Sequence, residues 1–375
     1  MKRIKSLTGR SFQSFTCNSY STQTTVGTHN HRFFEAKEGI VKMKDNFNAA
    51  VVNTLWQIVS SKQFDPDAEE TKQIMMLLKS QTQGRYSKSM FFPTLFKILP
   101  MREVDRKLQI LKSKMIDIIE DHKLDIDFQN PRDFIDVYLT QMRENTHSSF
   151  NDEQLVIVCL DLIEAGTETT STTLLWSVLY MALYPQIQKR CQAEIEDKIG
   201  SRPPTMDDAP HLPFVMACVM ETQRVSMMAP ASLPHSLSKD TEVKGYNFPK
   251  GTLFIANLSR QVLISYEIKP HKVTRYHLYR ILMDPEVFSS PKEFNPSRFL
   301  DDCGNLMRVE EFAPFSVGRR ICMGESLAKN SLFLFFVRVF QRTSVCQTAK
   351  RLDPDNAYVG VTRCPNPFEV NVTPR

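Results

Sequence analysis

A mainly α-helical domain with a minor β-sheet is what this 375-residue sequence predicts, on three observations. Apolar residues recur at helical spacing through the first two thirds, a proline-free stretch runs to Pro185, and extended segments are few and short. Within Phe47 to Ser61, residues Ala50, Val51, Leu55, Ile58 and Val59 share one helical face. Arg102 to His122 repeats apolar residues at 104, 108, 111, 115, 118 and 119 between charged positions, which predicts an amphipathic helix. Pro131 opens a short helix over Asp133 to Met142. Asn151 and Asp152 are N-cap candidates for the longest helix, which ends by Pro185. Pro-rich text at 203–213 separates it from a helix over Phe214 to Met228. Extended pieces follow at Thr241 to Tyr246 and Thr252 to Asn257, and a further helix over Glu325 to Phe340.

Hydrophobic residues make up 42% and charged residues 24%, which predicts a globular chain and excludes disordered, collagenous and polytopic membrane classes. Lys and Arg are scattered and the net charge is only +5, so nucleic acid is not an expected partner. Eight cysteines without a CxxC pair read as mostly reduced, buried thiols of an intracellular or cytosol-facing protein. No apolar run reaches membrane-spanning length. Residues 1–34 are basic, rich in Ser and Thr and free of acids, and read either as a disordered or aberrant start or as a mitochondrial transit peptide. The apolar run from Met90 to Pro100, broken at Pro93, reads either as a peripheral membrane contact or as a buried connection.

The densest chemical signal is Phe315-Ser-Val-Gly-Arg-Arg-Ile-Cys-Met-Gly324. Gly318 permits a sharp bend, Phe315 shields the sulfur of Cys322, and Gly324 lets a backbone approach closely. Because a helix follows, its N-terminal dipole is expected to lower the Cys322 pKa and ready it as a metal-binding thiolate, while Arg320 offers a planar cation for a carboxylate.

This run resembles the haem-binding loop of the cytochrome P450 monooxygenases, Phe-x-x-Gly-x-Arg-x-Cys-x-Gly. Other marks of that family follow in the expected order. Ala165-Gly-Thr-Glu-Thr-Thr170 is similar to the oxygen-activation segment, in which Ala165 and Gly166 open a groove beside the haem and Glu168 and Thr169 deliver protons. Glu221-Thr-Gln-Arg224 and Phe294-Asn-Pro-Ser-Arg-Phe299 resemble the motifs that supply Glu221, Arg224 and Arg298, a buried structural triad bracing the cysteine loop. The text around Leu233 to Asp240 and Gly245 to Thr252, and Asn130 to Leu139, resembles the microsomal family 2 branch. That likeness implies that His235 meets a haem propionate, and that Ala165, Ala229 and Val361 line an apolar substrate pocket.

The resemblance implies a P450 fold over 35–375, heme b ligated through Cys322, O2 and a small apolar substrate, and electrons from an NADPH-cytochrome P450 reductase. Arg308, Arg319 and Lys329 are docking candidates for that reductase. Two departures are expected to matter. The family's membrane anchor, first helices and a haem-facing Trp and Arg have no counterpart, since neither Trp56 nor Trp176 fits, so the fold is expected to be incomplete at its N-terminus. About twenty extra residues at 259–279 read either as a surface loop or as retained non-coding sequence. The resemblance places the protein at the endoplasmic reticulum membrane, with mitochondrial or cytoplasmic location as alternatives. A catalytically impaired haem-binding fragment and a haem-thiolate isomerase are the alternative functions, the intact Glu168–Thr169 pair opposing both.

Overall fold

A computed structural model describes residues 38–63, 65, 68, 103–144, 150–230, 235–243, 245–254, 281–359 and 362–375. The 1–34 segment, Cys17, the Met90 to Pro100 run, the 259–279 insertion and Val361 lie outside the described residues.

Strand β1 (Gly39–Lys42) leads into helix α1 (Asn48–Ser60), which is buried nearly all round, including Trp56 and Asn53. Its buried hydroxyls are satisfied within the helix: Thr54 donates to the Ala50 carbonyl at 2.9 Å and Ser60 to that of Trp56 at 2.9 Å. Helices α2 (Glu103–Asp125) and α3 (Phe134–Glu144) form an amphipathic pair joined by charge. His122 donates from both ring nitrogens, Nδ1 to the Ile118 carbonyl at 2.7 Å and Nε2 to Asp133 at 2.8 Å. Arg132 binds Asp136 through Nε at 2.7 Å and Asp125 through Nη1 at 2.8 Å.

Helix α4 (Asp152–Leu183) is the axis of the molecule, packing on α1, α2, α6 (Pro213–Ser226), α7 (Glu325–Arg342) and β6 (Thr343–Gln347). The Asn151 side chain caps it, accepting from the Gln154 amide at 2.8 Å. Leu174 to Ala182 is buried without a break, the pattern of a helix enclosed on all sides. Pro185 ends it and serves as the first residue of α5 (Pro185–Lys198).

Helix α5 is unforeseen because its buried face is partly polar. Gln188 uses its amide as a strand would, donating to the Val345 carbonyl at 2.7 Å and accepting from the Val345 amide at 2.8 Å. This covers an open sheet edge. Glu194 of α5 accepts from the amides of Phe214 and Val215 at 3.1 and 2.9 Å, capping α6 (Pro213–Ser226) from outside.

Short hairpins β2 (His235–Ser236) with β5 (Leu253–Phe254), and β3 (Thr241–Val243) with β4 (Tyr246–Phe248), follow. After the cysteine loop comes α7 (Glu325–Arg342), whose Phe333, Phe335, Phe336 and Phe340 are core residues. The chain closes with β6 (Thr343–Gln347), the hairpin β7 (Ala357–Val359) and β8 (Arg363–Pro365), and β9 (Glu369–Pro374). Strand β9 lies between β1 and β6, antiparallel to both, with Val372 opposite Gly39 and Val345.

Candidate haem-thiolate site

The cysteine loop is built on two backbone bends. Gly318 has φ +76 in a 3-10 turn over Gly318–Arg320, and Ser316 has φ +66. The Cys322 amide donates to the Phe315 carbonyl at 3.0 Å, closing the loop. A Cβ at Gly318 would meet nothing within 4 Å, so the glycine is required by its dihedral and not by crowding. At Gly324, the N-cap of α7, an added Cβ would stand 4.0 Å from Cys322 Sγ, so the glycine keeps the start of α7 close to that sulfur. Phe315 is half-buried and carries Lys329 over its ring at 5.7 Å.

Cys322 is exposed as a residue, yet packing around its sulfur pushes the thiol above its ordinary pKa, against the Gly324 amide and with help from the Glu325 carboxylate. The expected lowering is therefore corrected: desolvation and the acid in the first turn outweigh the helix terminus. The reading of mostly buried cysteines also needs correction. Cys159, Cys191 and Cys218 are buried, but Cys303, Cys322 and Cys346 are exposed and Cys364 is half-buried.

A closed ionic cluster joins α6 to the turn at Pro296–Phe299. Glu221 and Arg224, one turn apart on α6, form a bidentate pair with oxygen–nitrogen distances of 2.7 and 2.8 Å. Arg298 reaches the same carboxylate through Nε at 3.1 Å, and the Asn295 amide donates to it at 2.9 Å. Arg224 also donates to the carbonyls of Leu282 at 2.8 Å and Pro291 at 2.9 Å, and lies over the Phe288 ring at 5.1 Å. Arg298 donates to the Ser289 carbonyl at 3.0 Å. Asn295 and Phe294 have roles that the resemblance does not assign to them. Asn-Pro-Ser is a cap motif, with the Asn295 side chain accepting from the Ser297 amide at 3.1 Å, and Phe294 stacks on Tyr180 of α4 at 4.7 Å.

Helix α4 carries the third part. Ala165 is exposed and Thr169 half-exposed on the side of the helix that also exposes Ile157 and Asp161, and the Thr169 hydroxyl donates to the Ala165 carbonyl at 2.8 Å. Glu168 is buried on the neighbouring face, where Thr172 donates to it at 3.5 Å. The two residues of the acid–alcohol pair therefore face different directions. Gly166 does not open a groove: an added Cβ would sit 3.0 Å from Leu55 Cδ1, so it admits α1 against α4. Glu164, one turn before Glu168, is half-buried, its carboxyl raised by burial and by the charge of Asp161.

Arg320 is exposed on the 3-10 turn, His235 half-buried in β2, and Ala229 half-buried just beyond α6. Among the described residues, His122, Asp133 and Asp136 also bring metal-ligating atoms within 4.8 Å of one another. Both nitrogens of His122 already donate and Arg132 occupies Asp136, so this group is an ion-pair network.

The donor set fits haem. A single thiol on a glycine-shaped loop is flanked by exposed Val317, Ile321 and Met323 and by the cation of Arg320. Apolar side chains and a cation beside one soft ligand suit a flat apolar macrocycle with carboxylate arms.

Comparison with known proteins agrees. The Cytochrome P450 family model matches residues 30–263 and 261–372. Cytochrome P450 2U1 of Homo sapiens is 38% identical over 282 residues, 74% of this chain and 48% of the relative. Its Bos taurus namesake is 33% identical over 342 residues, covering 88% and 59%. Cytochrome P450 2B4 of Oryctolagus cuniculus is 37% identical over 319 residues, covering 82% and 61%. The chain thus spans between 48% and 61% of the length of these relatives. With the family model matched over most of its residues, and relatives at 33–38% identity over most of the chain, this chain belongs to the cytochrome P450 family.

Proposed function

We propose that the chain acts as a haem-thiolate monooxygenase, placing one oxygen atom of O2 into a small apolar substrate with electrons from an NADPH-dependent reductase. The observation that carries this reading is Cys322 on an exposed, glycine-bent loop immediately before α7, its amide closing the bend onto the Phe315 carbonyl at 3.0 Å. Bound haem supplies the redox centre at which O2 is activated. The chain's own residues do the rest. Cys322 gives up its proton to ligate, and Gly324 keeps the start of α7 close to the thiolate. Arg320 and His235 meet the carboxylate arms of haem b. The Thr169 oxygen still accepts while its hydrogen serves Ala165, so it holds water at the exposed face of α4. Glu168 passes protons to that water by turning from Thr172 toward Thr169. Ala165, Ala229 and Val361 are the positions assigned to an apolar substrate.

The domain is read as residues 35–375 with an insertion at about 259–279, and its place as the endoplasmic reticulum membrane. Among the described residues no helix is long and apolar enough to cross a membrane. The test is turnover of small alkylbenzenes and alkenes, whose alcohol and epoxide products retain the inserted oxygen, by the haem-loaded chain with NADPH, a flavoprotein reductase and isotopically labelled dioxygen. Label in the product, lost when reductase is omitted, is the expected result. Product formed without NADPH points to isomerase chemistry, and haem binding without turnover points to a non-catalytic haem protein.

A further inference from the structure

Arg363 is a buried charge at the first position of β8, only 4% exposed. Its guanidinium lies over the Trp176 ring of α4, 4.5 Å from the centroid. Nη1 donates to the Ser226 carbonyl at the end of α6 at 2.9 Å, and Nη2 to the Pro354 carbonyl at 2.7 Å. The main chain adds two ties. The Arg363 amide donates to the Met228 carbonyl at 2.7 Å, and its carbonyl accepts from Trp176 Nε1 at 3.0 Å. One residue therefore joins α4, the end of α6, the loop at Pro354 and β8. Between Ser226 and Met228 the chain turns through Met227 at φ +41, a left-handed bend without glycine, so the exit from α6 needs outside support. A lysine could not replace this fork, since one ammonium cannot lie flat on an indole while reaching two carbonyls on separate elements.

We propose that Arg363 is a positioning residue that sets the spacing between the exit of α6, where Ala229 begins, and the β7–β8 hairpin with its flanking loop at Pro354, and thereby the shape of the substrate site. The assignment of those two segments to the substrate site rests on the monooxygenase reading above; the clamp itself rests on the contacts.

The test uses Arg363→Lys and Arg363→Gln in the full chain, with Trp176→Phe as a milder variant that keeps an aromatic face and removes the indole N–H. Hydrogen exchange read by mass spectrometry needs no haem. Amides of both Ser226 to Pro230 and Pro354 to Thr362 are expected to exchange about tenfold faster in the Arg363 variants, by loss of local protection, with α7 unchanged. The Trp176→Phe variant should show the same two segments affected to a lesser degree. In haem-loaded protein, 4-phenylimidazole should bind roughly tenfold more weakly while imidazole itself binds as in wild type, because only the larger probe feels pocket shape. Unchanged exchange in either segment, or equal losses for the two imidazoles, overturns the proposal. If wild-type chain loads no haem through Cys322, the monooxygenase reading fails, and the exchange result still decides whether Arg363 is the clamp.

Discussion

The Glu221 cluster and the cysteine loop are neighbours in function and opposites in construction. Glu221 and Arg224 are 0% exposed, and the carboxylate receives two guanidinium groups and a backbone amide from the chain itself. Every residue from Ser316 to Met323 is exposed, among them Val317 at 69%, Met323 at 44% and Cys322 itself. The first region is closed and self-satisfied; the second turns a soft ligand and apolar side chains outward. The cluster keeps its charge inside the fold, and the loop offers its side chains to the outside. A buried ion pair is a costly way to gain stability. Its use here is to hold α6 and the turn at Pro296–Phe299 in one relation, which a hydrophobic contact would do with less directional control.

That contrast is open to direct attack. Glu221→Ala leaves two guanidinium groups without their carboxylate and should lower unfolding free energy by about 3–5 kcal/mol, measured by urea denaturation. Gly166→Val crowds Leu55 at the contact of α1 with α4 and should cost about 1–3 kcal/mol by the same assay. Asn151→Ala removes the cap of α4 and should cost about 1 kcal/mol, read as a fall in melting temperature. His122 adds a pH dependence. Burial opposes its charge, but the Asp133 carboxylate and the Ile118 carbonyl hold the ring pKa above its ordinary 6.5. Protonated His122 therefore contributes stability in full below that ordinary value, and the contribution is lost as pH rises through the higher folded pKa. Wild type should lose more stability than His122→Gln across that interval. At the other extreme, Cys322→Ser in the haem-free chain should shift stability by less than about 0.5 kcal/mol, because an exposed loop side chain is removed. A large loss there would erase the distinction between brace and loop.

Much of this was legible in the sequence for physical reasons. Glycine at a left-handed bend, a charge pair one turn apart and an Asn before a long apolar run each leave a local mark, and the structure places Gly318, the Glu221–Arg224 pair and Asn151 accordingly. What local pattern hides is long-range polar bonding. Helix α5 was missed because Gln188 and Gln192 occupy its buried face, and their purpose exists only once β6 lies beside them. The role of Arg363 was hidden in the same way, since its partners Trp176 and Ser226 are far away in the chain. Gly166 was read in the right helix with the wrong neighbour: a glycine declares close approach but not what approaches. The Cys322 pKa was misjudged because a helix dipole can be read from order along the chain, whereas desolvation cannot.

The central claim is that Cys322 ligates haem iron. It is tested most directly by expressing the full chain with a haem supply and recording the reduced carbon monoxide difference spectrum of wild type and Cys322→Ser. The account predicts the strongly red-shifted Soret band of a thiolate-ligated haem in wild type and its disappearance in the variant. A wild-type chain that loads haem without that band, or a band that survives in Cys322→Ser, would contradict it.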